Sequence, residues 1–225
     1  MKHALIYILI VLSFSGCSNT IPNEIKSNFT NCFQKEKSKS ESPIELGGYY
    51  LLKEAGRWCS GYGKDMKCYD TFEVNMLFYP DGTFLDNFFN PNVEYPGNTK
   101  AYLEEVYAAK NDKDPFYEGF YWGSYRINGD TITVQCIHNS SGTMARWIAY
   151  ERQYKIVNRT TIESIPYGHR SLYNPKNKTK AQTNDSSRNY QVRKKGFRAE
   201  FVPVSTIPPP NSWLKKQSWM WCDGR

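Results

Sequence analysis

Large apolar residues alternate with polar ones in several short segments of this chain. Between Thr71 and Tyr79 every second residue is large and apolar, and the intervening positions include Glu73 and Asn75. A period of two is typical of a β-strand with one buried face. Comparable segments are 46–54, 83–89, 118–127, 131–139, 145–157, 160–165 and 196–204. The pattern therefore predicts about eight strands.

Turn-forming residues separate many of these segments. They are Pro80-Asp81-Gly82, Asn128-Gly129-Asp130, Ser140-Ser141-Gly142 and Asn158-Arg159. Asn-Gly between two alternating segments is the strongest short hairpin signal. Short turns make successive strands antiparallel neighbours, and eight such strands are enough to close a barrel. The segment 99–110 instead has a helical period. We therefore predict an all-β antiparallel meander that closes into a barrel, with one short inserted helix.

The N-terminus has the three parts of a secretory signal peptide. Lys2 supplies a positive charge, residues 4–11 form an unbroken apolar stretch, and small residues lead into Cys17. The apolar stretch is shorter than the roughly 20 residues of a membrane-spanning helix. Ser15-Gly16-Cys17 resembles the lipobox of bacterial lipoproteins, although Phe14 stands where leucine is usual. The resemblance implies removal of residues 1–16 and acylation of Cys17, which would anchor the protein to a membrane.

Three regions follow the signal peptide. Residues 17–44 are predicted to be a flexible, lipid-anchored tether, because residues 34–42 are charged and rich in serine. The strands define one domain over 45–204. Residues 205–225 are a tail rich in proline and tryptophan, which either caps a barrel end or contacts a membrane interface or a partner. We favour capping, and more so if Cys222 pairs with a cysteine of the domain.

Six cysteines in an exported chain indicate disulfide bonds. Cys59 and Cys68 bracket a loop with two glycines that lets the chain reverse, so we predict that they pair. If Cys17 is acylated, at least one of the five others is unpaired or pairs with another chain. The sequence does not assign Cys32, Cys136 and Cys222.

The net charge of +7 is concentrated in part in the segment 170–195. This segment either contacts anionic lipid or polysaccharide, or is a solvated loop, and the second interpretation is favoured. We expect no nucleic-acid partner.

Three stretches combine strand and turn residues in recognisable motifs. They are residues 77–84 (LFYPDGTF), 123–132 (GSYRINGDTI) and 154–162 (YKIVNRTTI). They resemble the FxPDGTF hairpin, the GxYxIxGDTI hairpin and the closing YxIxxxTxxxL element of bacterial lipocalin-like lipoproteins. The resemblance covers roughly 46–165 and implies a lipocalin-like barrel, but a fold does not fix a function.

The sequence contains no recognisable catalytic motif. It has no G-x-S-x-G, no P-loop and no H-E-x-x-H. Only His138 and His169 would remain after removal of the signal peptide, and neither sits in a cluster with metal-ligand spacing. We therefore expect no catalytic residues, no metal and no cofactor.

The candidate ligand contacts are polar and aromatic residues on the inward-facing strand positions. They are Tyr121, Tyr125, Tyr150, Arg152 and Tyr154. Asp86 shares this phase, and a buried charge is costly unless it is paired. Asp86 and Arg152 therefore either meet each other, or Arg152 holds the carboxylate of a ligand. A β-bulge that reverses the phase would instead turn Arg152 to solvent.

These features predict a non-catalytic lipoprotein anchored outside the cytoplasm in the cell membrane or outer membrane. It would bind a small apolar or amphipathic ligand, or an envelope protein or anionic surface. The alternative is a surface protein–protein interaction module with a filled core, since eight strands enclose only enough space for side chains or one small ligand.

Overall fold

The computed structural model describes residues 20–34, 42–60, 67–86, 100, 121–140, 146–173, 197–207, 209–210 and 212–222. Several sequence predictions lie outside the described residues and stay predictions. They concern the signal peptide, Cys17, most of the Ser140-Ser141-Gly142 turn, most of the segment 170–195 and, apart from Lys100, the inserted helix.

Eight antiparallel strands form a closed barrel, which confirms the predicted fold class. In chain order they are β1 (Gly48–Ser60), β2 (Lys67–Phe78), β3 (Thr83–Asp86), β4 (Tyr121–Asn128), β5 (Thr131–Ser140), β6 (Arg146–Asn158), β7 (Thr161–Ser171) and β8 (Arg198–Pro203). Each strand pairs with the next, and β8 returns to pair with β1. This closed meander is compatible with a lipocalin-like fold.

Three tight turns lie at one end of the barrel, which we call the turn end. They are Pro80–Gly82, Gly129-Asp130 and Arg159-Thr160. Gly82 and Gly129 have φ angles of 82° and 59°, values that glycine adopts without steric cost. The sequence predicted turns at all three places. The opposite end of the barrel, where β3, β5 and β7 finish, is called the loop end below.

Aromatic side chains fill the barrel at the turn end. The ring of Tyr50 packs edge-on against Phe78, with 5.6 Å between centroids. Its hydroxyl donates to the carbonyl of Arg159 over 2.7 Å and accepts from the backbone N–H of Glu45 over 3.0 Å. Ile44, at the end of the predicted tether, is fully buried in the same cluster. This half of the barrel therefore has a packed core.

The outer face of the barrel carries a second hydrophobic cluster. Strand alternation directs Leu77, Leu85, Trp122 and Ile137 outward, yet all four are fully buried. Two segments from opposite ends of the chain, 20–34 and 212–222, cover them. These segments contribute Ile21, Ile25, Phe29, Phe33, Leu214 and Met220 to the cluster.

The N-terminal covering segment begins with a short helix, α1 (Asn23–Asn28), and continues extended from Phe29. No helix in the described part of the chain is long and apolar enough to cross a membrane. Gln135 Oε1, buried on the outer face of β5, accepts the backbone N–H groups of Thr30 and Asn31, both at 2.8 Å. Hydrogen bonds therefore fix this segment in register with the barrel wall, in addition to its apolar contacts.

A disulfide bond joins the two covering segments. Cys32 is bonded to Cys222, 190 residues further along the chain. Phe33, which follows Cys32 in the chain, forms a parallel β-bridge with Trp221, which precedes Cys222. Lys215 forms an ion pair with Asp81 in the β2–β3 turn. The two segments are thus tied to each other and to the barrel.

Two sequence predictions need correction here. Residues 20–34 fall within the predicted flexible tether, but they are docked structure, because an apolar side chain at every fourth position from Ile21 to Phe33 is buried on the outer wall. The tail is predicted to cap a barrel end, whereas 212–222 lies on the outer wall. Its cysteine, Cys222, pairs with Cys32 and not with a cysteine inside the predicted domain.

Candidate ligand site in the barrel

Three side chains meet inside the barrel in the half nearer the loop end. Asp86 on β3 and Arg152 on β6 come from strands that are not neighbours, so their contact crosses the interior. Arg152 Nη1 lies 2.8 Å from Asp86 Oδ2, and Tyr150 OH donates to the same oxygen over 2.6 Å. The guanidinium also lies 4.7 Å from the centroid of the Tyr150 ring. Of the two sequence alternatives, pairing of Asp86 with Arg152 is confirmed.

The tyrosine hydroxyls and the cysteine thiol beside this pair are uncharged at neutral pH. Burial, with the Asp86 carboxylate nearby, raises the pKa of the Tyr150 hydroxyl and of the Cys136 thiol well above their usual values. Burial also raises the pKa of Tyr154. The carboxylate and the guanidinium are thus two opposite charges among neutral groups. Asp86, Arg152 and these hydroxyl and thiol groups together carry no net charge. His138, two residues beyond Cys136 on the same inward phase of β5 and opposite Ile148, is a further buried titratable side chain in this half of the barrel.

This cluster has unused hydrogen-bonding capacity. Both protein donors converge on Oδ2 of Asp86, whereas Oδ1 is buried and accepts no hydrogen bond within the described part of the chain. A guanidinium has five N–H donors, and that of Arg152 uses them for Asp86 and for the hydroxyl of Tyr154, which leaves donors for a further partner. A buried acceptor without a partner costs roughly 1–3 kcal/mol. Thr83 Oγ1 and Ser124 Oγ are likewise buried without a partner, but among the described residues Asp86 Oδ1 is the one carboxylate oxygen in this position, and such an atom points to an interaction with something other than the fold itself.

Solvent reaches the cluster from one side. The side chain of Arg152 is 33% exposed, although that of Asp86 is only 3% exposed. Ile148 lies on the same phase of β6, nearer the loop end, and is 43% exposed. The Asp86–Arg152 pair is therefore a polar group inside the barrel, and the apolar Ile148 lies between this pair and the loop end.

Gly123 makes room for a buried thiol in this half of the barrel. Gly123 and Cys136 are cross-strand partners. A Cβ on residue 123 would lie 2.9 Å from Cys136 Sγ and would collide with the carbonyl oxygen of Gln135. Cys136 is free and fully buried, so it is a cysteine that takes no part in a disulfide.

The predicted ligand-contact residues occupy two different levels of the barrel. Tyr150, Arg152 and Tyr154 lie together beside Asp86. Tyr125 lies at the turn end, where its hydroxyl donates to a backbone carbonyl over 2.8 Å. The backbone of Tyr121 pairs with Asp86, but its side chain is outside the described part of the structure. Their role as ligand contacts stays a prediction.

A β-bulge occurs beside Arg152, but it lies on the neighbouring strand. Arg152 pairs with His169 and Tyr154 pairs with Ser164. The extra residues, 165–168, are therefore on β7, opposite a single residue of β6. The phase of β6 is unchanged, and this is why Arg152 stays inside the barrel.

A surface cavity of about 630 Å³ lies at the other end of the barrel. Its lining includes Asn31, Gln34, Ser42, Gly82 and Tyr125. The cavity shares only Tyr125 with the predicted contacts, and we assign no ligand to it.

Cys59 and Cys68 are cross-strand partners in the β1–β2 hairpin. Facing residues in antiparallel strands lie about 4.5–5.5 Å apart between Cα atoms, within the range of a disulfide. The backbone is therefore compatible with the predicted bond, which stays a prediction because neither side chain is described. Among the described residues, no three His, Cys, Asp or Glu side chains are grouped so that they could hold a metal ion.

Comparison of the chain with protein-family models, with curated proteins and with solved structures finds no match.

Proposed function

We propose that this protein is a lipid-anchored, extracytoplasmic binding protein of the bacterial lipocalin-like kind. It holds a small amphipathic ligand, without catalysis, in the loop-end half of its barrel. The observation that carries the proposal is the Asp86–Arg152 pair, which lies in the interior, is reached by solvent and keeps a buried acceptor unused. An ion pair that served packing alone would be expected to have its remaining polar atoms satisfied.

Anchoring at Cys17 fits the docked N-terminal segment. The described structure begins at Thr20, and Ile21 is already buried. Three residue steps of extended chain span about 10 Å. Acyl chains on Cys17 would therefore hold the barrel close to the surface of the cell membrane or outer membrane.

The Cys17→Ser variant is expected to leave the membrane fraction and to incorporate no labelled palmitate when the full-length chain is expressed in a bacterium. The wild-type protein should sediment with membranes and carry the label, because two or more acyl chains anchor a protein stably. The measurement is fractionation with metabolic labelling. Cys136→Ala, which removes a buried thiol, is the matched control and should behave as wild type. Label retained by Cys17→Ser would place the lipid elsewhere and contradict the anchor.

Native mass spectrometry is expected to show a reproducible excess mass on the chain from Ser18 onward, which keeps every described residue, after purification from a periplasm. The excess should fall at least tenfold in occupancy in Arg152→Gln and in Tyr150→Phe, because both lose a contact of the cluster. Arg198→Gln, an exposed arginine on β8, should retain it. Circular dichroism confirms that each variant is folded.

A bare polypeptide mass from several expression hosts would contradict ligand carriage. It would favour the alternative of a surface interaction module with a filled core. That alternative needs an exposed aromatic surface, and the tail does not present one freely. Leu214 and Met220 are fully buried, and the three tryptophans of the tail are partly buried against the outer wall: Trp213, Trp219 and Trp221.

A further inference from the structure

The charges of the barrel cluster restrict the head group that it accepts. Asp86 neutralises Arg152 at 2.8 Å, and the neighbouring hydroxyl and thiol groups are neutral. A ligand carboxylate at Arg152 would lie within a few ångströms of the Asp86 carboxylate. Like charges at that distance in a partly desolvated site repel each other strongly. A ligand ammonium at Asp86 would meet the guanidinium in the same way.

The unused polar atoms restrict the head group further. Oδ1 of Asp86 lacks a hydrogen-bond donor, and the N–H groups of Arg152 that contact neither Asp86 nor Tyr154 can donate to an acceptor of the ligand. A single uncharged group that both donates and accepts, such as a primary amide or an alcohol, satisfies both. A carboxylate would accept from Arg152 but would be repelled by Asp86. An ammonium would donate to Asp86 but would be repelled by Arg152.

The residue above the cluster favours an apolar extension of the ligand. Ile148 precedes Tyr150 by two positions on β6, so it lies on the same phase and about 7 Å nearer the loop end. Among the described residues it is the exposed apolar one on that path, and the buried His138 lies opposite it on β5. A ligand whose head group contacts Asp86 and Arg152 would pass its chain along Ile148 toward the mouth.

We propose that the Asp86–Arg152 pair selects amphiphiles with an uncharged, donating and accepting head group over fatty carboxylates. This inference rests on the proposed function, since it names the ligand class of the same site. The pair acts as a selectivity element: Arg152 alone would favour an anion, and Asp86 removes that preference.

The test compares four probes of equal chain length by isothermal titration calorimetry on the mature chain from Ser18. They are dodecanamide and dodecan-1-ol, each below its solubility limit, and dodecanoate and dodecylammonium, each below its critical micelle concentration. We expect the amide and the alcohol to bind at least tenfold more tightly than either ion. The comparison is made within the wild-type protein, so it does not depend on the stability of any variant.

Asp86→Asn should remove the selectivity against the carboxylate. The asparagine keeps an acceptor for Tyr150 but leaves the charge of Arg152 unbalanced, so dodecanoate should gain at least tenfold in affinity relative to wild type. Glu151→Gln is the matched control, because Glu151 is a buried carboxylate on the outer phase of β6, paired with Arg170 at 2.8 Å. It should leave the probe order unchanged.

The outcomes separate the two proposals. If dodecanoate binds the wild-type protein as well as the amide does, the selectivity rule is overturned and ligand carriage stands. If none of the probes binds either the wild type or Asp86→Asn, and native mass spectrometry also shows a bare chain, ligand carriage and the rule built on it both fail.

Discussion

Replacing Phe29 with alanine is expected to lower the free energy of unfolding by about 3–5 kcal/mol, the usual cost of removing a buried aromatic ring. Phe29 is 1% exposed and packs edge-on against Trp219, with ring centroids 5.7 Å apart. The surrounding cluster belongs to the barrel wall and to the C-terminal segment, so it has little freedom to collapse into the space. Urea denaturation of the mature chain measures the change.

Ser27→Ala is the control for this prediction. Ser27 is in α1, two residues before Phe29, and its hydroxyl makes an exposed hydrogen bond to the carbonyl of Glu24. Its replacement should change the stability by no more than about 0.5 kcal/mol. If Phe29→Ala has an equally small effect, residues 20–34 are a tether in solution, as the sequence alone predicts, and the docked segment is contradicted.

The barrel could be predicted because its signals are local. Alternation over nine residues identifies β2, and Asn128-Gly129 identifies the β4–β5 hairpin whose turn has a positive φ at Gly129. Each such signal is carried by residues that are neighbours in the chain. Once successive strands are antiparallel, the order β1 to β8 follows without further information.

The docked N-terminal segment could not be recognised in the same way, because its partners are distant in sequence. Its apolar residues are four apart, but α1 has only six residues, too few to be stable without tertiary contacts. The available signal lay in the strands. Leu77, Leu85 and Trp122 are apolar on the outward phase, and a barrel with such a wall requires a cover. The outward apolar residues of the strands could therefore have indicated that other segments of the chain cover the barrel wall.

The contact between Asp86 and Arg152 could also be predicted from the sequence. The inward phase places Arg152 and Asp86 in one enclosed space, and the cost of burying a single charge requires them to meet. The same phase also selected Tyr125, which lies at the turn end in the packed half of the barrel. Strand phase determines which face a side chain occupies, whereas its level along the barrel follows from its distance to the turn. Tyr125 is three residues before Asn128, so the predicted β4–β5 turn could have placed it at the turn end.

Removing the Cys32–Cys222 disulfide is expected to lower the free energy of unfolding by about 3–5 kcal/mol. The bond joins residues 190 positions apart, and the loss of loop entropy in the unfolded chain increases with that separation. The double variant Cys32→Ala/Cys222→Ala should therefore unfold at a much lower urea concentration than wild type. Limited proteolysis should also cut the N-terminal covering segment first, because the bond ties it to the tail.

The predicted Cys59–Cys68 bond provides the matched comparison. It would close a loop of about ten residues, for which the same relation gives roughly 2–3 kcal/mol, and the β1–β2 register already holds the two backbones together. Cys59→Ala/Cys68→Ala should therefore destabilise the protein less than the other double variant does. The prediction is contradicted if Cys59→Ala/Cys68→Ala is the more destabilising variant, or if loss of Cys32–Cys222 costs less than about 1 kcal/mol. Apolar packing and the Gln135 hydrogen bonds would then hold the covering segments, and the disulfide would contribute little.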